Sequence, residues 1–334
     1  MGRRISLAWL VAVLIVGAAS SAWADPIKIG VIRNFGAAPL YIAETKGYFT
    51  AEGVPAELVW FDAAQPITVG VVSGALDFGV TGLTAAFYGL AGSGELKLIA
   101  GFTHEAPGFH DYAYVASNQA YAAGLRSLKD FPGHSVSTTQ IGSSSHYALA
   151  LLSDKYGFDP KSFRIMPLQS IANTRSALTG GQVDAAITVG SSIMPLVQEN
   201  KIKLLGWVGD ETPWQVGAAF TGTRTADERG ATVAAFLRAF RKATREYHDA
   251  FADANGKRRD GPEAPEILAL IGKYTGASVD QILPAIPYID AEARLDEKDI
   301  LHQIAWYKSQ GMVKGDVDGA KIIDTRYAKL LGAR

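Results

Sequence analysis

Short apolar runs alternate with helix-length segments through the first part of the chain. Four runs have strand character, at residues 27–31, 56–60, 78–80 and 96–102. Helix-length segments separate them, at residues 39–46, 66–74 and 85–90. Pro39 and Pro66 suit the first turn of a helix, and Gly47 and Gly74 suit its end. Such alternation predicts a mostly parallel β-sheet covered by helices.

The same pattern restarts after residue 112. Strands are expected at residues 134–138, 185–189 and 204–208, and helices at residues 145–156, 172–178 and 193–199. Two similar α/β units in succession predict two lobes. At roughly 100–200 residues per domain, a chain of 334 residues is also long enough for two domains.

After Trp214 the pattern predicts helices only. Apolar residues recur there every three or four positions with charges between them, at Val233, Phe236, Leu237, Phe240, Tyr247 and Phe251. We interpret them as the core-facing side of one long helix. Further helices are expected at residues 265–273, 278–283 and 298–310, after a polar loop at 255–265.

The N-terminus has the features of an export signal. Arg3 and Arg4 precede an apolar stretch at residues 7–19, and small residues come before Asp25. We expect residues 1–24 to be removed by cleavage after Ala24, which leaves 334 − 24 = 310 residues. A retained membrane anchor is the alternative, but the apolar stretch is shorter than the ~20 residues that span a bilayer.

Composition excludes several classes of site. The chain has no cysteine, so it can form no disulfide, thiolate metal site or cysteine nucleophile. Its formal net charge of −1 comes without basic clusters, which gives no support to nucleic-acid or membrane-surface binding. His104, His110 and Asp111 match no common zinc spacing, and Ser143 to His146 lacks a nucleophile motif. We expect no metal, no cofactor and no catalytic residue.

Ligands of open α/β sheets bind beyond the carboxyl ends of the strands. Five loops occupy that position, at residues 33–38, 61–65, 81–84, 138–146 and 190–192. The loop at 138–146 is the strongest candidate, because glycine and serines at a helix N-terminus expose backbone N–H groups that suit an anionic oxygen. Ser143 or Ser144 could instead only cap that helix.

Several side chains could complete such a site. Arg33 is a strong cation at a predicted strand end and could pair with a carboxylate or sulfonate, although a solvated arginine would look the same in sequence. Phe35, Phe61 and Trp214 could form apolar walls. The candidate ligand-binding residues are Arg33, Asn34, Phe35, Phe61, Thr81, Thr84, His110, Gly142, Ser143, Ser144, Ser145, Gly190, Ser191 and Trp214.

Four segments carry a family resemblance: Lys46-Gly47-Tyr48-Phe49, Gly74-Ala75-Leu76-Asp77-Phe78-Gly79, Gly142-Ser143-Ser144 and Gly181-Gln182-Val183-Asp184-Ala185. With them the chain resembles periplasmic solute-binding proteins of the NMT1/THI5-like (sulfonate, nitrate and taurine) group. The resemblance implies the type II periplasmic binding fold, two α/β lobes joined by a two-crossover hinge with C-terminal helices. Residues 25–110 plus 213–334 would form lobe 1, and residues 111–212 lobe 2.

The same resemblance implies a function. The protein would be the periplasmic substrate-binding component of an ABC transporter. It would act as a monomer, capture a small organic anion of sulfonate or carboxylate type, and deliver it to a permease driven by an ATPase. The small, neutral segment 186–192 departs from the sulfonate and taurine branch and could admit a bulkier anion. Alternatives are a neutral heterocycle such as a pyrimidine or thiamine precursor, an enzyme of menaquinone-pathway type on the same fold, and a sensor subunit.

Overall fold

A computed structural model describes residues 25–315 and 317–332. The predicted signal peptide, residues 1–24, lies outside the described residues. Within the described part of the chain, no helix combines the length and the apolar character that crossing a membrane requires.

Strands and helices alternate as the sequence pattern predicts. The strands are β1 Ile27–Ile32, β2 Ala56–Phe61, β3 Phe78–Gly82, β4 Leu96–Gly101, β5 Thr103–Glu105, β6 Tyr112–Ser117, β7 Ser135–Thr138, β8 Arg164–Pro167, β9 Ala185–Val189, β10 Ile202–Trp207, β11 Trp214–Gln215, β12 Gly217–Gly222 and β13 Tyr288–Ile289. The helices are α1 Ala38–Thr45, α2 Tyr48–Ala51, α3 Ala64–Val72, α4 Ala85–Gly92, α5 Asn118–Ala122, α6 Ser144–Tyr156, α7 Ile171–Thr179, α8 Gly190–Gln198, α9 Val208–Glu211, α10 Thr223–Glu228, α11 Gly230–Phe251, α12 Ala264–Thr275, α13 Val279–Ile282, α14 Glu297–Ser309 and α15 Gly319–Ile322.

Two five-stranded sheets organise the molecule, and we call the halves built on them lobe 1 and lobe 2. The order in lobe 1 is β2-β1-β3-β12-β4, and in lobe 2 it is β10-β6-β9-β7-β8. In each sheet four strands run in one direction, which confirms the mostly parallel prediction. The exceptions are β12 and β6, which pair antiparallel with both of their neighbours.

The prediction that only helices follow Trp214 is wrong. Strand β12 lies there and fills the gap between β3 and β4. Its sequence, GAAFTG, is poor in the branched residues that mark strands, so its small side chains gave no local signal. Strands β6 and β8 also lie outside the predicted set. Both β6 and β12 come directly after the chain passes from one lobe to the other.

A small third sheet lies where the lobes are connected. Its order is β11-β5-β13, with antiparallel pairing throughout. Strand β5 precedes the passage of the chain into lobe 2, and β11 belongs to the return. The two connections are therefore tied together by backbone hydrogen bonds, which gives the hinge a defined structure.

Helix α11 confirms the predicted apolar stripe. Val233, Phe236, Phe240 and Tyr247 on this helix are buried, and they belong to one hydrophobic core with β1 and β3. Phe236 stacks on Phe78 of β3 with 4.1 Å between the ring centroids. The helix thus covers the outer face of the lobe 1 sheet and leaves the carboxyl ends of its strands free to face lobe 2.

Candidate functional site

A cleft between the lobes contains two connected chambers. The inner chamber is the more enclosed of the two, and the outer chamber lies nearer to solvent. Ile32, Asp62, Ile171 and Val189 line both. Polar residues dominate the rest of the inner wall: Asn34, Thr81, Thr84, Thr103, Asp111, Tyr112, Thr139, Gln140, Ser143, Ser144, Ser145 and Thr188.

Loops after parallel strands supply most of this wall. Thr81 is the next-to-last residue of β3, and Thr84 begins α4 by accepting a hydrogen bond from the Phe87 N–H at 3.1 Å. On lobe 2, Ser143 begins α6 in the same way, with the His146 N–H as donor at 3.4 Å. Serine and threonine are preferred at these positions because their oxygens satisfy an otherwise unpaired N–H. The chamber thus lies beyond the carboxyl ends of the strands, which is where ligands of open α/β sheets are expected.

The serine loop, residues 140–145 at the N-terminus of α6, also joins the two lobes. The Ser144 hydroxyl donates to the Leu83 carbonyl at 2.9 Å, and the Ala85 N–H donates to the Gly142 carbonyl at 2.9 Å. Tyr307 of α14 donates to the Ser143 carbonyl at 3.3 Å. This loop therefore caps a helix, lines the chamber and forms the contact that brings the lobes together.

Arg33, Phe35, Phe61 and Ser191 lie in the outer chamber rather than the inner one. The guanidinium of Arg33 lies over the Trp60 ring, 4.4 Å from its centroid, which is a cation–π geometry. Arg175, on α7 of the other lobe, lines the same chamber and was not among the predicted residues. The two guanidinium groups face the outer cleft from opposite lobes.

Four predicted residues lie outside both chamber walls: His110, Gly142, Gly190 and Trp214. His110 stacks on Trp207 and has Asp210 Oδ2 at 3.0 Å from its Nε2. Trp214 packs against Tyr147. The segment 190–192, expected as a loop, is the first turn of α8. Ligand contact itself stays a prediction for every residue of the predicted set.

Sequence reasoning missed the acidic character of the inner chamber. Asp62 and Asp111 line it, whereas none of its lining residues is Lys, Arg or His. Burial raises the pKa of Asp111 to about 6, and a hydrogen bond from the Thr103 side chain lowers it by less. Burial also raises the pKa of the neighbouring Glu105 well above its usual value, and the nearby Asp111 carboxyl raises it further.

One signal in the sequence pointed to Asp111. It lies at the expected boundary between lobe 1 and lobe 2, where a hinge residue can face the cleft. The described residues contain no group of His, Cys, Asp and Glu side chains that could hold a metal ion.

Comparison with known proteins bears on the family and the fold. A family model described as NMT1/THI5 like matches residues 34–254. No curated protein sequence matches the chain.

Solved structures with the same fold include binding proteins and an enzyme. The alkanesulfonate-binding protein SsuA from Xanthomonas axonopodis pv. citri, bound to MOPS, has a TM-score of 0.71 at 18% identity, covering 90% of this chain and 98% of that chain. The periplasmic nitrate-binding protein NrtA from Synechocystis PCC 6803 has 0.66 at 14%, covering 89% and 86%. The desulfurization enzyme DSZB has 0.59 at 12%, covering 92% and 97%. At these identities the similarity establishes the periplasmic binding protein fold alone.

Proposed function

The chain belongs to the NMT1/THI5-like family, and on that premise we propose that it is the substrate-binding component of an ABC importer. It is exported to the periplasm with cleavage after Ala24 and works there as a monomer. It holds a small molecule between lobe 1 (25–110 plus 213–334) and lobe 2 (111–212), and delivers it to the permease and its ATPase.

One observation carries this proposal. Strand-end loops of both sheets line the inner chamber between the lobes, so a molecule bound there touches both lobes at once. A ligand that contacts both lobes favours the closed arrangement, because only that arrangement completes its contacts. A permease can then distinguish the loaded protein from the empty one by its shape. Two structural neighbours support the same function: SsuA is described as an alkanesulfonate-binding protein, and NrtA as a periplasmic nitrate-binding protein.

The inner chamber favours a neutral heterocycle as the ligand. Its wall offers hydroxyl groups, the Gln140 amide and the two carboxyls Asp62 and Asp111, with no basic side chain among its described residues. Micromolar affinity needs about 8 kcal/mol. Net contributions of ~0.5–1.5 kcal/mol from each of several hydrogen bonds, together with burial of the ring, reach that value.

A small organic anion of sulfonate or carboxylate type is the second candidate. The observation that favours it is the pair Arg33 and Arg175, which line the outer chamber from opposite lobes. Charge-assisted contacts from both guanidiniums would hold an anion there and draw the lobes together. Replacing Arg33 by alanine should lower the affinity for an anion roughly tenfold or more. The affinity for a heterocycle should change by no more than a few-fold.

An enzyme on this fold is the competing class of function. The fold of DSZB shows that such enzymes exist, and fold alone does not decide function. We favour binding because the contacts of the serine loop serve capping and lobe docking. The Ser143 hydroxyl lies 3.1 Å from that of Ser145, and it accepts from a backbone N–H of His146 rather than meeting its ring.

A thermal-shift screen of the mature protein, residues 25–334, tests the proposal. The panel contains sulfonates, aromatic and aliphatic carboxylates, nitrate, bicarbonate and pyrimidines. A one-site ligand at 100 times its dissociation constant adds about 2.7 kcal/mol of stability, which gives a clear shift. We expect one chemical class to shift the transition and to be recovered unchanged. Conversion of a compound would favour the enzyme, and silence across all classes would count against a small-molecule binder.

A further inference from the structure

The hinge side of the inner chamber carries a buried carboxyl group with little to neutralise it. Asp111 is 6% exposed and lines the chamber, next to the hinge strand β5 and at the start of β6. Thr103 is its hydrogen-bonding neighbour. Among the described residues, no Lys, Arg or His forms an ion pair with it.

The neighbouring Glu105 differs from Asp111 in how well it is satisfied. Glu105 is 2% exposed, and its Oε1 accepts a hydrogen bond from the Tyr112 N–H at 2.5 Å. The Gly209 N–H gives it a further hydrogen bond. Glu105 also lies outside the chamber wall, so its contacts belong to the hinge itself. Asp111 is therefore the carboxyl of this pair with acceptor capacity directed into the chamber.

A second, independent feature points to a ligand at the same place. The Thr81 hydroxyl, on lobe 1, lines the chamber, and its residue is 3% exposed. It has no hydrogen-bond partner among the described residues. A buried hydroxyl without a partner costs free energy that a bound polar group recovers. Such groups are expected at sites that are completed by a ligand.

We propose that the inner chamber binds its ligand through an N–H donor group, an amino substituent of a heterocycle or an ammonium, which donates to the Asp111 carboxylate beside the Thr81 hydroxyl. The proposal rests on the proposed function and narrows its ligand class. Asp62 adds a negative charge at the entrance of the same chamber. It is exposed there and forms no ion pair among the described residues.

The opposite orientation, with an anionic end directed inward, conflicts with this wall. A carboxylate or sulfonate placed against Asp111 would bring two like charges together in a site withdrawn from water, where their repulsion is stronger than in solution. It would also leave the acceptor capacity of Asp111 unused. An anionic part of the ligand fits only toward the outer chamber, where Arg33 and Arg175 lie.

Matched probes test the donor group directly. Titration calorimetry compares 4-aminopyrimidine with 4-methylpyrimidine, which has nearly the same shape and lacks the N–H donors, and benzylamine with benzoate. We expect at least one amino probe to bind at least tenfold more tightly than its partner. Equal affinity within both pairs, or binding of benzoate alone, would overturn the proposal.

The variant Asp111→Asn tests the residue. It keeps the shape of the side chain and removes the charge, so we expect at least a tenfold loss of affinity for 4-aminopyrimidine with the folded state retained. Asp299→Asn is the matched control: Asp299 is a half-buried carboxyl of α14 whose pKa is likewise raised to about 6 by burial, and it lies outside the chambers. Unchanged affinity in Asp111→Asn, or an equal loss in Asp299→Asn, contradicts the assignment.

Failure of the donor inference and failure of the proposed binding function give different experimental results. If sulfonates or benzoate shift the thermal transition and the amino probes do not, the binding function stands and the donor inference falls. If no anionic, neutral or amino compound binds, the solute-binding function falls and the donor inference falls with it.

Discussion

At the level of single residues, burial determines how much free energy it costs the folded protein to keep the Asp111 carboxyl ionised. In the unfolded chain this carboxyl is hydrated and ionises at its usual pKa of about 3.8. In the folded protein burial raises that pKa to about 6, because the charged form loses its water. Between these two values the folded state binds more protons than the unfolded state, so stability falls as pH rises.

The first prediction is that Asp111→Asn stabilises the unliganded protein at neutral pH. The pKa shift from 3.8 to about 6 means that ionising Asp111 lowers the folding stability at pH 7 by as much as about 3 kcal/mol. The asparagine side chain does not ionise, so the variant avoids this loss. Urea unfolding at pH 4.5, 6 and 7 measures the effect. We expect the variant to gain over the wild type as pH rises. A variant less stable than the wild type at pH 7 would show that the carboxylate supports the fold.

Other carboxyls give the opposite slope and limit the pH window. Asp290 and Asp324 are paired with Arg294 and Arg326, whose hydrogen bonds and charge hold both carboxyl pKa values below the usual range despite burial. Their contribution to stability is present above the unfolded pKa and is lost as pH falls through the folded value. The gain of Asp111→Asn should therefore be measured at pH 4.5 and above, where these pairs stay intact.

At the level of elements, close contact between β3 and β12 depends on glycine. A Cβ atom added at Gly79 of β3 would lie 2.4 Å from the Phe220 ring of β12. Phe220 is fully buried and packs against Phe87, so the ring has little room to move. We predict that Gly79→Ala destabilises the protein by about 1–3 kcal/mol through overpacking.

Gly89→Ala is the matched control for this prediction. Gly89 lies within α4 of the same lobe, and an added Cβ there meets no atom within 4 Å. Alanine should raise the stability by roughly 0.5–1 kcal/mol, because it restricts the unfolded chain and favours the helix. Chemical denaturation of both variants should give changes of opposite sign. A shared sign would mean that backbone entropy, and not the contact with Phe220, dominates at Gly79.

The sequence predicts the elements with a strong apolar pattern and misses strand β12, which lacks one. Strong periodicity predicted α11 and most of the α/β alternation, since these elements bury apolar faces that local pattern reveals. Strand β12 could not be found in this way. Its glycines and alanines are selected by close packing between β3 and β4, a constraint that comes from residues more than a hundred positions away.

Part of the candidate site could likewise be predicted from the sequence, and part of it could not. Loops after predicted strands indicated Asn34, Thr81, Thr84 and the serines at the start of α6, because the position of such loops follows from topology alone. Asp111 lies on a lobe-to-lobe connection outside the five strand-end loops. Its importance depends on burial and on the absence of basic residues in the chamber wall, neither of which a local pattern contains.

For the whole molecule, the described arrangement of the lobes depends on direct contacts beside the chamber. The serine loop of lobe 2 meets the start of α4, and Tyr147 lies 2.6 Å from His302 of α14 through its hydroxyl. These contacts join the two lobes directly through protein groups. The free energy of ligand binding adds to this interface, and weakening the interface lowers the fraction of protein competent to close.

Gly82→Ala should open the molecule while keeping every polar group of the inner chamber wall, to which Gly82 contributes no side chain. An added Cβ at Gly82 would lie 2.5 Å from the Ser144 hydroxyl of the opposite lobe. If this moves the closed fraction down tenfold, the apparent affinity falls about tenfold, or roughly 1.4 kcal/mol. Solution X-ray scattering with the best ligand of the screen should show a radius of gyration nearer to that of the open form. Because the nearest atom is the Ser144 hydroxyl, adding Ser144→Ala should restore part of the closure, whereas a double variant as open as the single one would place the hindrance elsewhere.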